Sequence, residues 1–181
     1  MTRGVDVNDA AALVGLIPHM RLEHDERQRY VRLVADGREV TDELHTAEVD
    51  REVSSVSQHA EVRAALLPVQ RDLARGGRLI MAGRDIGTVV LPDADLKLYL
   101  EVSVAERARR RAAERGVADD PRALAQIETD LRERDEIDST RATSPLRIPE
   151  GATVLDTSGN TLEETVAEVV ELIRTAESDD D

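Results

Sequence analysis

The chain has 181 residues, room for one ordinary domain carrying a small insert but not for two full-sized ones, and its aliphatic composition, with two Tyr and no Phe or Trp, calls for a core of Leu, Val, Ile and Ala. Acidic residues number 38 against 24 basic ones, a formal net charge of −14 that argues against a general binder of nucleic acid or of an anionic membrane. The absence of Cys excludes a disulfide framework, a thiol nucleophile and a cysteine-ligated metal.

The segment Val5 to Ile17 reads as a short helix capped by Asn8 or Asp9 and ended near Pro18. Met20 to Asp25 and Tyr30 to Val34 alternate as short strands, and Asp36-Gly37 supplies the turn toward a further strand-like piece, so a small β-rich insert is expected over about 18–60. Thr46 to Val53 and Glu61 to Leu73 have helical spacing, the second with Val62, Leu66, Val69 and Leu73 on one stripe. After Gly76-Gly77 the compact apolar run Leu79-Ile80-Met81-Ala82 fits a strand covered on both faces of a parallel sheet.

A second strand is expected at Leu96 to Leu100, and Ser103 with Glu106 forms a capping-box pattern opening a helix to about Arg115. Asp120-Pro121 starts another helix, since Asp caps and Pro suits the first turn. Thr153 to Asp156 reads as a last short strand. Thr161 and Glu164 then cap a final helix with Leu162, Val166, Val169, Val170 and Ile173 on one apolar face, and residues 177–181 read as a disordered acidic tail. Strands alternating with helices from residue 77 onward indicate an α/β domain with a mainly parallel sheet, one domain over 1–176. No apolar run approaches a membrane span and the start lacks a secretory signal, so a soluble cytoplasmic chain is expected.

In parallel α/β sheets ligands sit beyond the carboxyl ends of strands. Gly83-Arg84-Asp85-Ile86-Gly87 follows the best predicted strand and sets a guanidinium fork beside a carboxylate; the alternative is a glycine turn with a local ion pair. In the helix after Pro121, the stripe Leu124, Ile127, Leu131 continues as Arg134, Asp138 and Arg141. If the helix persists, two guanidinium groups and a carboxylate point inward and need an anionic ligand or paired charges; if it frays near Arg134, the charges are solvated. Arg107, Arg110 and Arg111 make a further face that is either solvated or part of a lid over a polyphosphate. The four histidines, His19, His24, His45 and His59, lack the HxxxH or HxH spacing of a zinc site.

Together, Gly83 to Ala94, Leu96 to Leu100, Glu106 to Arg111, Arg134-Asp135 through Asp138-Ser-Thr-Arg141 and Leu155 to Ser158 resemble the bacterial cytidylate kinases in order and spacing, and Gly4 to Val7 and Thr46 to Leu66 are similar too. The resemblance implies a P-loop-kinase fold in three layers with a parallel sheet, and transfer of the ATP γ-phosphoryl group to CMP or dCMP with Mg²⁺. It implies that Ser54, Arg63 and Asp85 read cytosine, that Arg84, Arg134 and Arg141 bind phosphate, that Asp138 takes the sugar hydroxyls, and that Arg110 and Arg111 belong to a lid within about 107–141. The implied partners are nucleotides, with the protein a monomer and no protein ligand assigned to the metal.

Two departures stand out. A kinase of this type opens with a strand, a GxxxxGK[ST] loop and a helix, and this sequence contains no such loop; its one lysine is Lys97. The expectation is a chain lacking its first βα unit, through a misplaced start or gene damage, and inactive alone. Ala82, where the family usually has an acid, removes a carboxylate suited to Mg²⁺ or its water ligands. The competing readings are a non-catalytic nucleotide-binding or regulatory module that retains the CMP site, and a related kinase for another monophosphate.

Overall fold

Residues 4–25, 30–44, 46–77 and 79–179 are described in the computed structural model, and the chain falls into two units, Met1–Met81 and Ala82–Asp181. The division lies at the predicted strand Leu79 to Ala82.

In the first unit, α1 (Ala10–Leu16) starts where Asp9 accepts a hydrogen bond from the Ala12 N–H, and it passes into a 3₁₀ turn, Ile17–His19, that takes Pro18 into its first positions. Three antiparallel strands follow. β1 (Met20–Asp25) pairs with β2 (Tyr30–Ala35) in the register Met20 to Ala35, and β2 pairs with β3 (Arg38–Glu39). The connection between β2 and β3 is a two-residue turn with Asp36 at φ 51° and Gly37 at φ 77°; two successive positive φ values match the right-handed twist of the flanking strands. The predicted β-rich insert is thus a three-stranded meander.

Thr46 caps α2 (Ala47–Ser57) by accepting from the Val49 N–H. α3 (Ala60–Ala74) carries Pro68 inside it, at the loss of one backbone hydrogen bond. His59 precedes it, with Nε2 2.8 Å from the Val7 carbonyl, and Val62 is the buried side chain of this helix.

The run Leu79 to Ala82 is not a strand, and Ile80 is 82% exposed. This corrects the sequence expectation, and the reason is physical: a strand exists through its ladder, and residues 79–82 have no ladder partner among the described residues.

In the second unit, β4 (Leu98–Glu101) begins two residues later than the predicted Leu96 and pairs in parallel with β5 (Thr153–Asp156), Leu98 opposite Thr153. The fold is therefore mixed α/β with a parallel pair, as expected of the class. Between these strands lie α4 (Val104–Glu114), capped by Ser103, and α5 (Pro121–Thr140), capped by Asp120 through the N–H groups of Arg122 and Ala123. α4 ends at Gly116, φ 68°, where the Gly116 N–H reaches the Ala113 carbonyl and the Val117 N–H reaches that of Ala112. That left-handed termination satisfies carbonyls the helix would otherwise leave open and turns Val117 onto the core.

The core is the seam between the two helices: Ala108 and Ala112 against Ile127, flanked by Val117, Leu124 and Leu131. Two alanines almost fully excluded from solvent let the helices approach closely. Ala108→Leu is expected to cost about 1–3 kcal/mol through overpacking, seen as a lower thermal midpoint, while Ala113→Leu on the exposed side should be nearly neutral. Equal midpoints for the two variants would show that the seam is not packed there.

Thr161 and Glu164 form a complete reciprocal cap for α6 (Leu162–Asp179), the Thr161 N–H on Glu164 Oε2 at 2.8 Å and the Glu164 N–H on Thr161 Oγ1 at 3.2 Å. The helix runs on through Glu177 and Ser178, both exposed, into the stretch expected as tail. Of its predicted apolar face, Val169 and Ile173 are partly covered, while Leu162, Val166 and Val170 are exposed.

Candidate functional site

The inward stripe of α5 is real: the helix continues past Arg134 to Thr140 without fraying, and buries Ile127 and Asp138 on one line. Eleven residues are close to three turns of 3.6, so Asp138 lies above Ile127. Its side chain is 4% exposed and gathers three guanidinium groups. Arg141, at the C-cap of α5 and 6% exposed, donates from Nη1 to Asp138 Oδ1 at 2.9 Å, and its Nε donates to the Ser144 carbonyl at 2.6 Å. Arg84 Nε lies 3.0 Å from Asp138 Oδ2, an ion pair lacking the alignment of a hydrogen bond. Arg134 Nε lies 3.9 Å from the same oxygen.

Asp138 Oδ2 and Arg134 Nε are both buried, and neither has a hydrogen-bond partner among the described residues. Native interiors rarely leave such groups unmet unless something else meets them.

A second carboxylate, Asp135, lies beside the first. Arg84 Nη1 donates to its Oδ1 at 2.6 Å, and Arg107 of α4 grips both oxygens, Nη1 on Oδ1 at 3.1 Å and Nη2 on Oδ2. Burial alone would raise the Asp135 pKa, but the hydrogen bonds from Arg107 and then Arg84, with their charges, outweigh it and hold the carboxyl below its ordinary value of 3.8. The folded state thus binds this proton less well than the unfolded state. The bridge contributes its full stability above the ordinary value, and the contribution is lost as pH falls through the lowered one.

Arg84, Arg107, Arg134 and Arg141 outnumber Asp135 and Asp138 in this cluster, in a chain that is strongly negative overall, and Asp85 beside Arg84 is a further carboxylate. Such a group of guanidinium forks fits an oxyanion.

Asp85, 8% exposed, precedes one wide π-helical turn, Ile86–Val90, with the Val90 N–H on the Asp85 carbonyl at 3.3 Å and the Leu91 N–H on that of Ile86 at 2.7 Å. A Cβ added at Gly83 would lie 2.8 Å from Ile86 Cγ1, and one at Gly87 2.8 Å from Pro149 Cγ. The close approach that these glycines permit is therefore to the chain's own side chains.

Of the other predicted residues, Arg110 donates to the carbonyls of Thr157 at 2.7 Å and Asn160 at 3.3 Å and pairs with Glu106, so it clamps the turn after β5. Arg111 pairs with Glu114 at 3.4 Å. Within the first unit, the Ser54 carbonyl accepts from Ser57 Oγ at 2.9 Å, and Arg63 Nη1 donates to the Ser57 carbonyl at 3.4 Å. The α4 arginine that joins the cluster is Arg107, and Asp135 joins it with no role foreseen. Asp135 does carry a signal: it continues the line Ile127, Leu131 at steps of four along α5.

The family model described as Cytidylate kinase matches residues 1–175. The chain is 37% identical over 174 residues to a cytidylate kinase of Shouchella clausii, covering 96% of this chain and 77% of that protein. It is 46% identical over 143 residues to one from Caldanaerobacter subterraneus subsp. tengcongensis, covering 79% and 64%. A bifunctional pantoate ligase/cytidylate kinase of Prochlorococcus marinus is 42% identical over 176 residues, covering 94% of this chain and 34% of that protein.

Proposed function

Because the chain belongs to the cytidylate kinase family, we propose that its arginine–aspartate cluster binds the monophosphate acceptor, CMP or dCMP, for transfer of the ATP γ-phosphoryl group to give CDP or dCDP and ADP. The observation that carries this is the pair Asp138 Oδ2 and Arg134 Nε, an acceptor and a donor buried without hydrogen bonds and 3.9 Å apart. A nucleoside monophosphate meets both needs, with sugar hydroxyls to donate and phosphate oxygens to accept. The guanidinium groups of the cluster suit the anionic oxygens of a phosphate monoester.

The chemistry needs little more from the acceptor side. The attacking atom is a phosphate oxygen that is already ionised near neutral pH, so no general base has to take a proton. In this reading Arg84, Arg134 and Arg141 fix that phosphate and screen it from the incoming γ-phosphate, whose approach would otherwise set like charges together. In the same reading Asp85 accepts from the cytosine amino group.

Among the described residues no three His, Cys, Asp or Glu side chains group to hold a metal, and Ala82 offers no carboxylate. Mg²⁺ in this reading arrives on ATP, since such ions are held largely by substrate phosphates and water. The 181 residues contain no GxxxxGK[ST] loop, so acceptor binding is the direct test of the described site. No described helix is long and apolar enough to cross a membrane.

Titration of CMP, UMP, AMP and cytidine into the chain by calorimetry should show CMP bound most tightly. Arg84→Ala should weaken CMP more than cytidine, whereas Asp85→Asn should weaken both, because the base is common to them. Equal affinity for all three monophosphates, or equal losses for both ligands in both variants, would contradict these assignments.

A further inference from the structure

We propose, resting on the acceptor-site reading above, that Asp135 is a positioning residue for the acceptor phosphate, holding Arg84 and Arg107 aimed before the nucleotide arrives. It neighbours Arg134 in sequence yet serves other arginines. Its Oδ1 is shared by Arg84 Nη1 and Arg107 Nη1, and its Oδ2 takes Arg107 Nη2. One carboxylate thereby draws together two guanidinium groups from different elements, the loop ahead of the wide turn and α4, whose charges would otherwise drive them apart.

The bonding pattern also leaves the right groups over. Arg84 directs Nε toward Asp138 and Nη1 to Asp135, which leaves Nη2 without a partner among the described residues. Arg107 is gripped end-on through both Nη nitrogens, which leaves Nε and the outer Nη hydrogens. Guanidinium forks fixed at one edge present the other edge for a second anion.

Charge counting and positioning make opposite predictions. On Coulomb attraction alone, removing a carboxylate beside the phosphate site should tighten binding of a dianion. If Asp135 acts by holding the arginines, its loss should weaken binding, because two long side chains must then be immobilised when the phosphate arrives.

The test is calorimetric titration of CMP and cytidine into the chain and its Asp135→Asn and Asp135→Glu variants, with a melting curve for each. Asp135→Asn is expected to weaken CMP about tenfold, the ordering of two side chains, and to leave cytidine within about twofold, with Asp135→Glu recovering part of the CMP affinity. Tighter CMP binding in Asp135→Asn would show that its charge alone matters and overturn the proposal, as would equal losses for CMP and cytidine, the mark of a merely structural residue. If Asp135→Asn does not melt cooperatively, the comparison is read from Asp135→Glu, which keeps the charge and displaces the carboxylate: charge counting then leaves CMP affinity unchanged, whereas positioning weakens CMP and not cytidine. Unchanged CMP binding in the variant beside a wild-type chain that binds CMP overturns this proposal alone. A wild-type chain that binds neither ligand overturns the acceptor-site reading and this proposal with it.

Discussion

Asp138→Ala is expected to cost about 3–5 kcal/mol of folding stability, the loss found when one partner of a buried ion pair is removed. Asp138 is 4% exposed and Arg141 6%, so the charge left behind on Arg141 has little access to water. For a chain of this size the cost corresponds to a fall of roughly 6–20 °C in the thermal midpoint of the cooperative transition that contains α5. Arg141→Met should fall by a similar amount. The double variant should fall by much less than the sum, because once one charge is gone the other is a liability. Additive losses, or a fall of only a degree or two for Asp138→Ala, would mean that the pair is solvated in solution.

The sequence announces this pair through position rather than composition. Ile127, Asp138 and Arg141 share one face only if α5 runs unbroken, and the Asp120 cap and the Pro at its first position make the start of the helix plain. Its end is harder to read, because Arg134 and Asp138 look the same in a frayed turn as in a buried one. What decides is the partner, Arg84, which lies far away in the chain. Caps and turns are legible for the same local reason: Asp9, Thr46, Ser103, Asp120 and Thr161 each meet N–H groups two or three residues on, and Asp36-Gly37 needs only its own backbone. Leu79 to Ala82 is the contrary case, since apolar residues state a preference for burial but not which strand will lie alongside. Arg110 shows the same limit at a single side chain. Its place in an arginine face suggests a lid, while its hydrogen bonds go to carbonyls beyond β5 that no local pattern foretells.

Arg134→Ala should separate binding from stability. Its Nε stands 3.9 Å from Asp138 and its side chain is 33% exposed, so its contribution to the folded state is that of a loose, partly solvated pair, well under 1 kcal/mol. The buried Nε without an acceptor is a different matter once a phosphate supplies one. A hydrogen bond to a charged group contributes about 1.5–3 kcal/mol, and a guanidinium edge can make two. CMP affinity is therefore expected to fall on the order of a hundredfold, with cytidine affinity and the thermal midpoint almost unchanged. Arg134→Lys should recover the charge but only part of the affinity, because an ammonium group cannot present the planar two-point edge that suits a phosphate. Calorimetric titration of CMP and cytidine with a melting curve for each variant reads all of this. Full recovery by lysine would reduce the role of Arg134 to charge alone. A large loss of stability in Arg134→Ala would instead place it with Asp138 and Arg141 among the groups that hold the fold together.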